Sequence, residues 1–76
     1  MIEKRLPAEK IERLLSRLHS PDEAVRVHAA LRLTGRGIDA EQVRPTLETA
    51  LADPDPHVRR LAAWVLGHLG SVRRAA

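Results

Sequence analysis

Residues 53–70, DPDPHVRRLAAWVLGHLG, carry the clearest structural pattern of the 76-residue chain. Two Asp-Pro pairs open the stretch and favour the start of a helix, because Asp accepts hydrogen bonds from free backbone N–H groups and Pro fits the first helical turn. Gly70 closes the stretch and is typical of a helix end. The sequence predicts one helix that begins at either Asp-Pro pair, ends near Leu69 and is apolar over a broad arc.

The same pattern occurs earlier in the chain at a constant offset of 33 residues. Residues 14–37, LLSRLHSPDEAVRVHAALRLTGRG, align without a gap with residues 47–70, LETALADPDPHVRRLAAWVLGHLG. Leu, Pro, Asp, Val-Arg, Ala-Ala and Gly recur at matching positions. The chain is therefore predicted to be one domain with two copies of one unit, over about residues 7–37 and 39–70, followed by a frayed tail at 71–76.

The first repeat is predicted to contain two helices. Helix 1 extends from about Pro7 to His19 and has one apolar face. That face carries Ile11, Leu14, Leu15 and Leu18. Helix 2 begins at Ser20, which forms a capping box with Glu23, or at the competing cap Asp22. It ends at the two glycines that close the unit.

The second repeat is predicted to contain the other two helices. Helix 3 follows Asp39, and Gln42 completes a second capping box. Pro45 is expected to bend this helix or to delay its start, because it removes one backbone hydrogen bond. The residues expected to face inward are Val43, Leu47, Ala50 and Leu51. No strand pattern occurs in the sequence, so the predicted fold class is all-α with four helices.

Composition narrows the class of protein further. Hydrophobic residues make up 43% of the chain and charged residues 30%, which is typical of a globular domain. The chain has no cysteine, which excludes disulfides and thiolate metal sites. Its N-terminus lacks the apolar region of a signal peptide, and no apolar run is long enough to cross a membrane. We therefore expect a cytoplasmic protein without a membrane segment.

Residues 53–70 resemble a HEAT repeat, in the short form of the lyase-type HEAT-like proteins. The signature of that form is Asp-Pro-Asp-Pro-x-Val-Arg, then small residues, then Leu-Gly-x-Leu-Gly. Residues 20–37 match less closely, since Thr34 replaces the first Gly and Arg36 the second Leu. The resemblance covers about residues 7–70. It implies two antiparallel helix hairpins in a short right-handed α-α superhelix, a fold that serves scaffolds, chromophore-lyase relatives and DNA-repair relatives.

The resemblance also implies a structural role for four charged residues. Asp22 and Asp55 resemble the acids of the ladder that links HEAT-like repeats, and Arg26 and Arg59 resemble its bases. We expect these four residues to lie within hydrogen-bonding reach of one another or of helix N-termini near the seam between repeats. This role is structural and not catalytic.

The four histidines do not form a metal-binding pattern. His57 and His68 would lie about 16 Å apart along one helix, too far to share an ion. His19 and His28 are on different helices and have no acidic partner at a ligand spacing. The sequence contains no nucleophile elbow and no Gly-rich phosphate loop. We expect no metal, no cofactor and no enzymatic activity.

His28, Arg32 and Arg36 recur every four residues and so share one face of helix 2. One interpretation is a solvated face, or long side chains that cover apolar neighbours. The other is a basic strip that recognises an acidic peptide or a phosphate backbone. Arg32 is expected to be mostly exposed in the second case. With Trp64 as the only aromatic residue, an acidic protein is favoured over single-stranded nucleic acid.

Helix 4 is predicted to leave an apolar stripe of Leu61, Trp64 and Val65 exposed, with His68 beside it. Such a stripe is more apolar surface than a monomer usually exposes, so we expect a homodimer or a protein partner on helix 4, with the open side of helix 1 as a further contact. The competing arrangement is a core in which four helices enclose the stripe.

The predicted function is a non-catalytic protein–protein interaction or scaffold module. The net charge of +3 leaves an alternative, an accessory protein associated with nucleic acid through an arginine-rich face. A chromophore-lyase-like subunit is a further alternative, on the resemblance alone.

Overall fold

The computed structural model describes residues 6–35 and 37–69. They form four helices: α1 (Ala8–Arg17), α2 (Glu23–Leu33), α3 (Ala40–Ala50) and α4 (Pro56–His68). No strand occurs in these two ranges, which confirms the predicted all-α class. Arg36, the predicted helix stop at Gly70 and the predicted frayed tail at 71–76 lie outside the described residues.

The helices pack as two stacked hairpins. α1 packs on α2 and α3 packs on α4 within the repeats, while α1 meets α3 and α2 meets α4 between them. The molecule therefore has a first-helix layer, α1 with α3, and a second-helix layer, α2 with α4. The backbone N–H of Leu6 donates a 3.1 Å hydrogen bond to the carbonyl of Gly37 in the connection between repeats. Gly37 has a φ of 85°, which only glycine adopts readily.

The N-cap of helix α2 is not Ser20, where the sequence predicts a capping box, but the competing residue Asp22. The carboxylate of Asp22 accepts from the backbone N–H of Ala24 at 2.9 Å. The Ser20 hydroxyl instead accepts from the N–H of Asp22 at 3.1 Å. The expected Ser20 cap is therefore wrong. Asp is the stronger cap here because its carboxylate is a charged acceptor at the positive end of the helix.

Pro45 lies inside α3 and does not delay its start. The helix begins at Ala40, capped by the side chain of Asp39. The expectation of a delayed start is therefore wrong. Pro45 has no N–H to donate to the carbonyl of Glu41, so α3 lacks that one backbone hydrogen bond. The hydroxyl of Thr49 donates to the carbonyl of Pro45 at 3.2 Å.

The buried side chains come from all four helices and join both repeats into one core. Its members are Ile11, Leu14, Leu18, Ala29, Ala30, Leu33, Val43, Leu47, Ala50, Val58, Ala62 and Val65. All of these side chains are aliphatic, because Trp64, the one aromatic residue among Phe, Tyr and Trp in the sequence, lies on the surface. Within residues 6–35 and 37–69, no helix has the length and apolar character that a membrane crossing requires.

Equivalent positions in the two repeats differ in burial, because each repeat packs on the other with only one of its two sides. Leu18 is 1% exposed, whereas its equivalent Leu51 is 42% exposed. Val65 is 0% exposed, whereas its equivalent Arg32 lies on the surface. Two expectations are therefore wrong: Leu51 does not face inward, and Val65 is not part of an exposed stripe. Each repeat covers only one side of the other, so the second side of each unit remains open.

Candidate interaction surface

Asp22 and Asp55 cap α2 and α4 in the same way. The Asp55 carboxylate accepts from the backbone N–H of His57 at 2.9 Å, as that of Asp22 does from Ala24. Both acids thus lie at helix N-termini, one of the two placements expected for them. A carboxylate there satisfies a free N–H group and interacts favourably with the helix dipole.

Arg26 and Arg59 do not pair with these acids; each binds the turn before its own helix. Nη1 of Arg26 donates to the carbonyl of Ser20 at 2.7 Å. Nη1 of Arg59 donates to the carbonyl of Asp53 at 2.7 Å and to that of Pro54 at 3.2 Å. The implied acid–base ladder is therefore two equivalent sets of backbone contacts, each of which fixes the turn within one hairpin.

One side-chain contact links the turns of the two repeats. Nε2 of His19 lies 2.9 Å from Oδ2 of Asp53, and the other oxygen of Asp53 accepts from the N–H of Asp55 at 2.9 Å. The hydrogen bond from Asp55 and that from His19 hold the pKa of the Asp53 carboxyl below its ordinary value of 3.8. Both contacts favour the charged form of Asp53, and the contact with His19 joins the two turns.

Large apolar side chains remain exposed on the second-helix layer. Val27 and Leu31 of α2 are 41% and 53% exposed, and Trp64 of α4 is 38% exposed. Leu31 and Trp64 are equivalent residues of the two repeats, so they lie on the same face of neighbouring helices. Leu61 of α4 is half-buried whereas its equivalent His28 is exposed, because only repeat 2 has a neighbour on that side. We call these four apolar residues the α2–α4 surface.

The indole of Trp64 is held in place by His68. The two rings stack with centroids 4.3 Å apart and an interplanar angle of 30°. Nδ1 of His68 lies 2.8 Å from the carbonyl oxygen of Trp64, and it donates because a carbonyl only accepts. Residues four apart on a helix meet in this way. A side chain that is already ordered loses less entropy when a partner covers it.

Basic side chains flank the α2–α4 surface on both sides. His28 and Arg32 are exposed on α2, whereas their equivalents on α4, Leu61 and Val65, are covered by repeat 1. His28 and Arg32 therefore lie on the side of α2 that is away from α4. Arg60 is exposed on α4, at the position equivalent to Val27. It lies about 140° around the helix from Val65, which faces repeat 1, so Arg60 is on the far side of α4. The apolar residues therefore lie between two basic margins.

A shallow cleft lies at the open end of repeat 1, next to the α2 margin. It has a volume of about 330 Å³ and is lined by Arg17, Ala24, Val25 and His28. Its lining thus combines two apolar and two basic side chains. In the described parts of the chain, no three His, Asp or Glu side chains are grouped so that they could hold a metal ion.

The residues predicted for interaction divide into three groups. His28, Arg32, Trp64 and His68 are exposed, which confirms the exposure expected of Arg32. Leu61 is half-buried, Val65 lies in the core, and Arg36 is outside the described residues.

Sequence reasoning missed Val27, Leu31 and Arg60. The alignment of the repeats contained the signal, because it pairs Leu31 with Trp64 and Val27 with Arg60. A position that is equivalent to an exposed residue on a neighbouring helix is itself a candidate for the same surface.

Comparison with known proteins agrees with this architecture. No curated protein and no solved structure matches the sequence significantly. The family model for HEAT repeats matches residues 11–76, which include most of α1 and all of α2, α3 and α4. With two equivalent helical hairpins that share one core, and with this match over most of its length, the chain belongs to the HEAT-repeat family.

Proposed function

We propose that the chain is a non-catalytic protein-interaction module that binds its partner through the α2–α4 surface. The observation that supports this function is the exposure of Val27, Leu31 and Trp64 on adjacent helices. Stacked helical repeats offer extended surfaces of this kind to protein partners. Apolar side chains grouped on a surface are stabilised when a partner removes them from water.

The size of this patch fits a modest interface. Covering roughly 300 Å² of apolar surface contributes about 7 kcal/mol before the cost of association is subtracted. Trp64 has the largest side chain of the patch, and tryptophan is enriched among the residues that dominate binding energy.

The test uses variants of two exposed leucines. We expect Leu31→Glu to abolish capture of the native partner from a lysate of the host. Leu51→Glu is the matched control, because Leu51 is exposed at the C-terminal cap of α3, in the first-helix layer and away from the α2–α4 surface. Circular dichroism of both variants establishes that they remain folded. Equal capture by wild type and Leu31→Glu would contradict the proposed function.

The basic residues favour a second candidate function, association with nucleic acid. α2 and α4 together carry four arginines and one glutamate. Phosphate contacts would make binding fall steeply with salt, about one power of salt concentration for each phosphate neutralised. A salt titration of duplex DNA binding distinguishes the two functions, since the apolar residues of the α2–α4 surface contribute nothing to phosphate contacts.

The homodimer predicted from the sequence is a more specific proposal about the partner. A two-fold dimer on α4 would cover Trp64 with its own copy. It would also bring two copies of Arg60 close together, which opposes association. Sedimentation at micromolar concentration tests the dimer directly, because the monomer has a mass of 8.5 kDa.

A further inference from the structure

The proposed function leaves open what kind of segment the α2–α4 surface binds. We infer that it binds an acidic amphipathic helix, whose apolar side chains contact Leu31 and Trp64 and whose carboxylates meet the basic margins. This inference rests on the proposed function and specifies the chemistry of the partner. Three features support it: the charge of the layer, the placement of that charge, and the spacing of the apolar residues.

The net positive charge of the four helices comes from the second-helix layer. α1 and α3 together carry four cationic side chains and four glutamates, so they balance. α2 and α4 together carry four arginines and only one glutamate, Glu23. Asp22 and Asp55 precede these helices, but their carboxylates accept hydrogen bonds from the backbone N–H groups that they cap. The exposed face of this layer therefore attracts acidic segments.

Two arginines of this layer remain available to a partner. Arg26 and Arg59 already donate to backbone carbonyls of their turns. Arg32 and Arg60 are exposed and lie on opposite margins of the apolar residues. An acidic helix that crosses α2 and α4 would place a carboxylate near each of its two ends next to a guanidinium, and these pairs would fix its position.

The apolar spacing fits a helix. Leu31 and Trp64 are equivalent positions on packed helices, and such positions lie about 8–10 Å apart. Residues i and i+7 of a helix are separated by about 10 Å along its axis. A helix that crosses α2 and α4 can therefore place one apolar side chain against Leu31 and Val27, and a second against Trp64. An amphipathic helix in an apolar groove is a common mode of recognition.

Two other occupants fit the surface less well. Nucleic acid would leave Val27, Leu31 and Trp64 against a strongly hydrated phosphate backbone. A second copy of the chain would place two positively charged layers face to face. The acidic helix is the occupant that satisfies both the apolar residues and the charge.

The first part of the test compares three synthetic peptides of about 18 residues, a length that supports a helix. The acidic peptide has Leu at i, i+4, i+7 and i+11 with Glu and Ala elsewhere. The second replaces every Glu with Gln, and the third replaces every Leu with Ser. Trp64 is the only aromatic residue of the chain, so its emission reports binding of each peptide. We expect the acidic amphipathic peptide to bind at least tenfold more tightly than either control.

The second part changes the protein. The double variant Arg32→Gln with Arg60→Gln is expected to raise the Kd of the acidic peptide about tenfold, because it removes the binding energy of two exposed charge pairs. Lys10→Gln with Arg13→Gln is the matched control, because it removes the same charge from exposed positions of α1 and should leave the Kd unchanged. Leu31→Ser should also weaken binding about tenfold, and circular dichroism checks that each variant is folded.

Each contrary result has a definite meaning. If the Gln and Glu peptides bind equally well and Leu31→Ser loses binding of both, the inference of an acidic partner would be overturned. The same result would support the proposed interaction function. Equal binding of the Leu and Ser peptides would overturn the apolar contacts. Failure of all three peptides to bind would overturn the inference. The proposed protein-interaction function would then be tested separately by the capture experiment with Leu31→Glu. A dimer that hides Trp64 would overturn the inference as well.

Discussion

The imidazole of His19 and the carboxylate of Asp53 join the turn of one repeat to the equivalent turn of the other, with 2.9 Å between Nε2 and Oδ2. In repeat 1, the position equivalent to Asp53 is Ser20, whose shorter side chain accepts only from the N–H of Asp22 among the described contacts. Asp53 accepts from the N–H of Asp55 in the same way and has a second oxygen left for His19. Asp53 thus combines a contact within its own turn with a contact between the repeats.

Asp53→Ala is expected to destabilise the protein in a pH-dependent way. The hydrogen bonds from Asp55 and His19 keep the pKa of Asp53 below 3.8, so the folded state favours the carboxylate. Its contribution is therefore fully present above pH 3.8 and is lost as the pH falls through the lower, folded-state pKa. Urea denaturation from about pH 6 to pH 3 measures the free energy of unfolding of both proteins. The difference between them should shrink at the acid end. Glu12→Ala, which changes an exposed glutamate of α1, is the control, and a constant difference for Asp53→Ala would contradict the prediction.

Asp22→Ala and Ser20→Ala distinguish the two candidate caps of α2. Loss of the Asp22 cap should lower the free energy of unfolding by about 1 kcal/mol, because the N–H of Ala24 loses its acceptor. Ser20→Ala removes only a contact outside the helix and should cost less. Chemical denaturation compares the variants, and an equal or larger effect of Ser20→Ala would restore Ser20 as the cap.

Leu18→Ala and Leu51→Ala test the burial difference at equivalent positions. Leu18 is 1% exposed, so its truncation should cost about 2–5 kcal/mol through lost burial and the cavity left behind. Leu51 is 42% exposed, so its truncation should lower the free energy of unfolding by less than half as much. Thermal or urea unfolding of the two variants gives the comparison. Similar losses would show that a further contact covers Leu51 in solution.

Arg26→Ala and Arg59→Ala probe the contacts that fix the turns. Arg26 is half-buried, so its loss should leave the carbonyl of Ser20 poorly satisfied and cost about 1–3 kcal/mol. Arg59 is exposed, and water can replace it at the carbonyl of Asp53, so the cost there should be smaller. Arg13→Ala serves as the control on α1. If all three variants unfold at the same urea concentration as wild type, the turns do not depend on these bonds.

The sequence by itself determined the elements of the fold. The offset of 33 residues established two equivalent units, and local chemistry located the helix starts, because capping and the fit of Pro at the first turn depend only on neighbouring residues. It also located Trp64 and Arg32 on the surface. The choice between Ser20 and Asp22 as the cap of α2 needed the structure, since both have suitable oxygens within two residues of each other.

The tertiary structure alone decided which equivalent positions are buried. Val65 and Arg32 occupy the same place in the repeat, yet one lies in the core and the other in solvent, because only repeat 2 has a neighbour on that side. The apolar arc of α4 is broad since the helix packs on both α2 and α3. Leu31 is apolar at a position that helical periodicity does not set apart, and its exposure beside Trp64 emerges only when the two hairpins stack. Burial depends on which surfaces meet, and that is a property of the assembled helices.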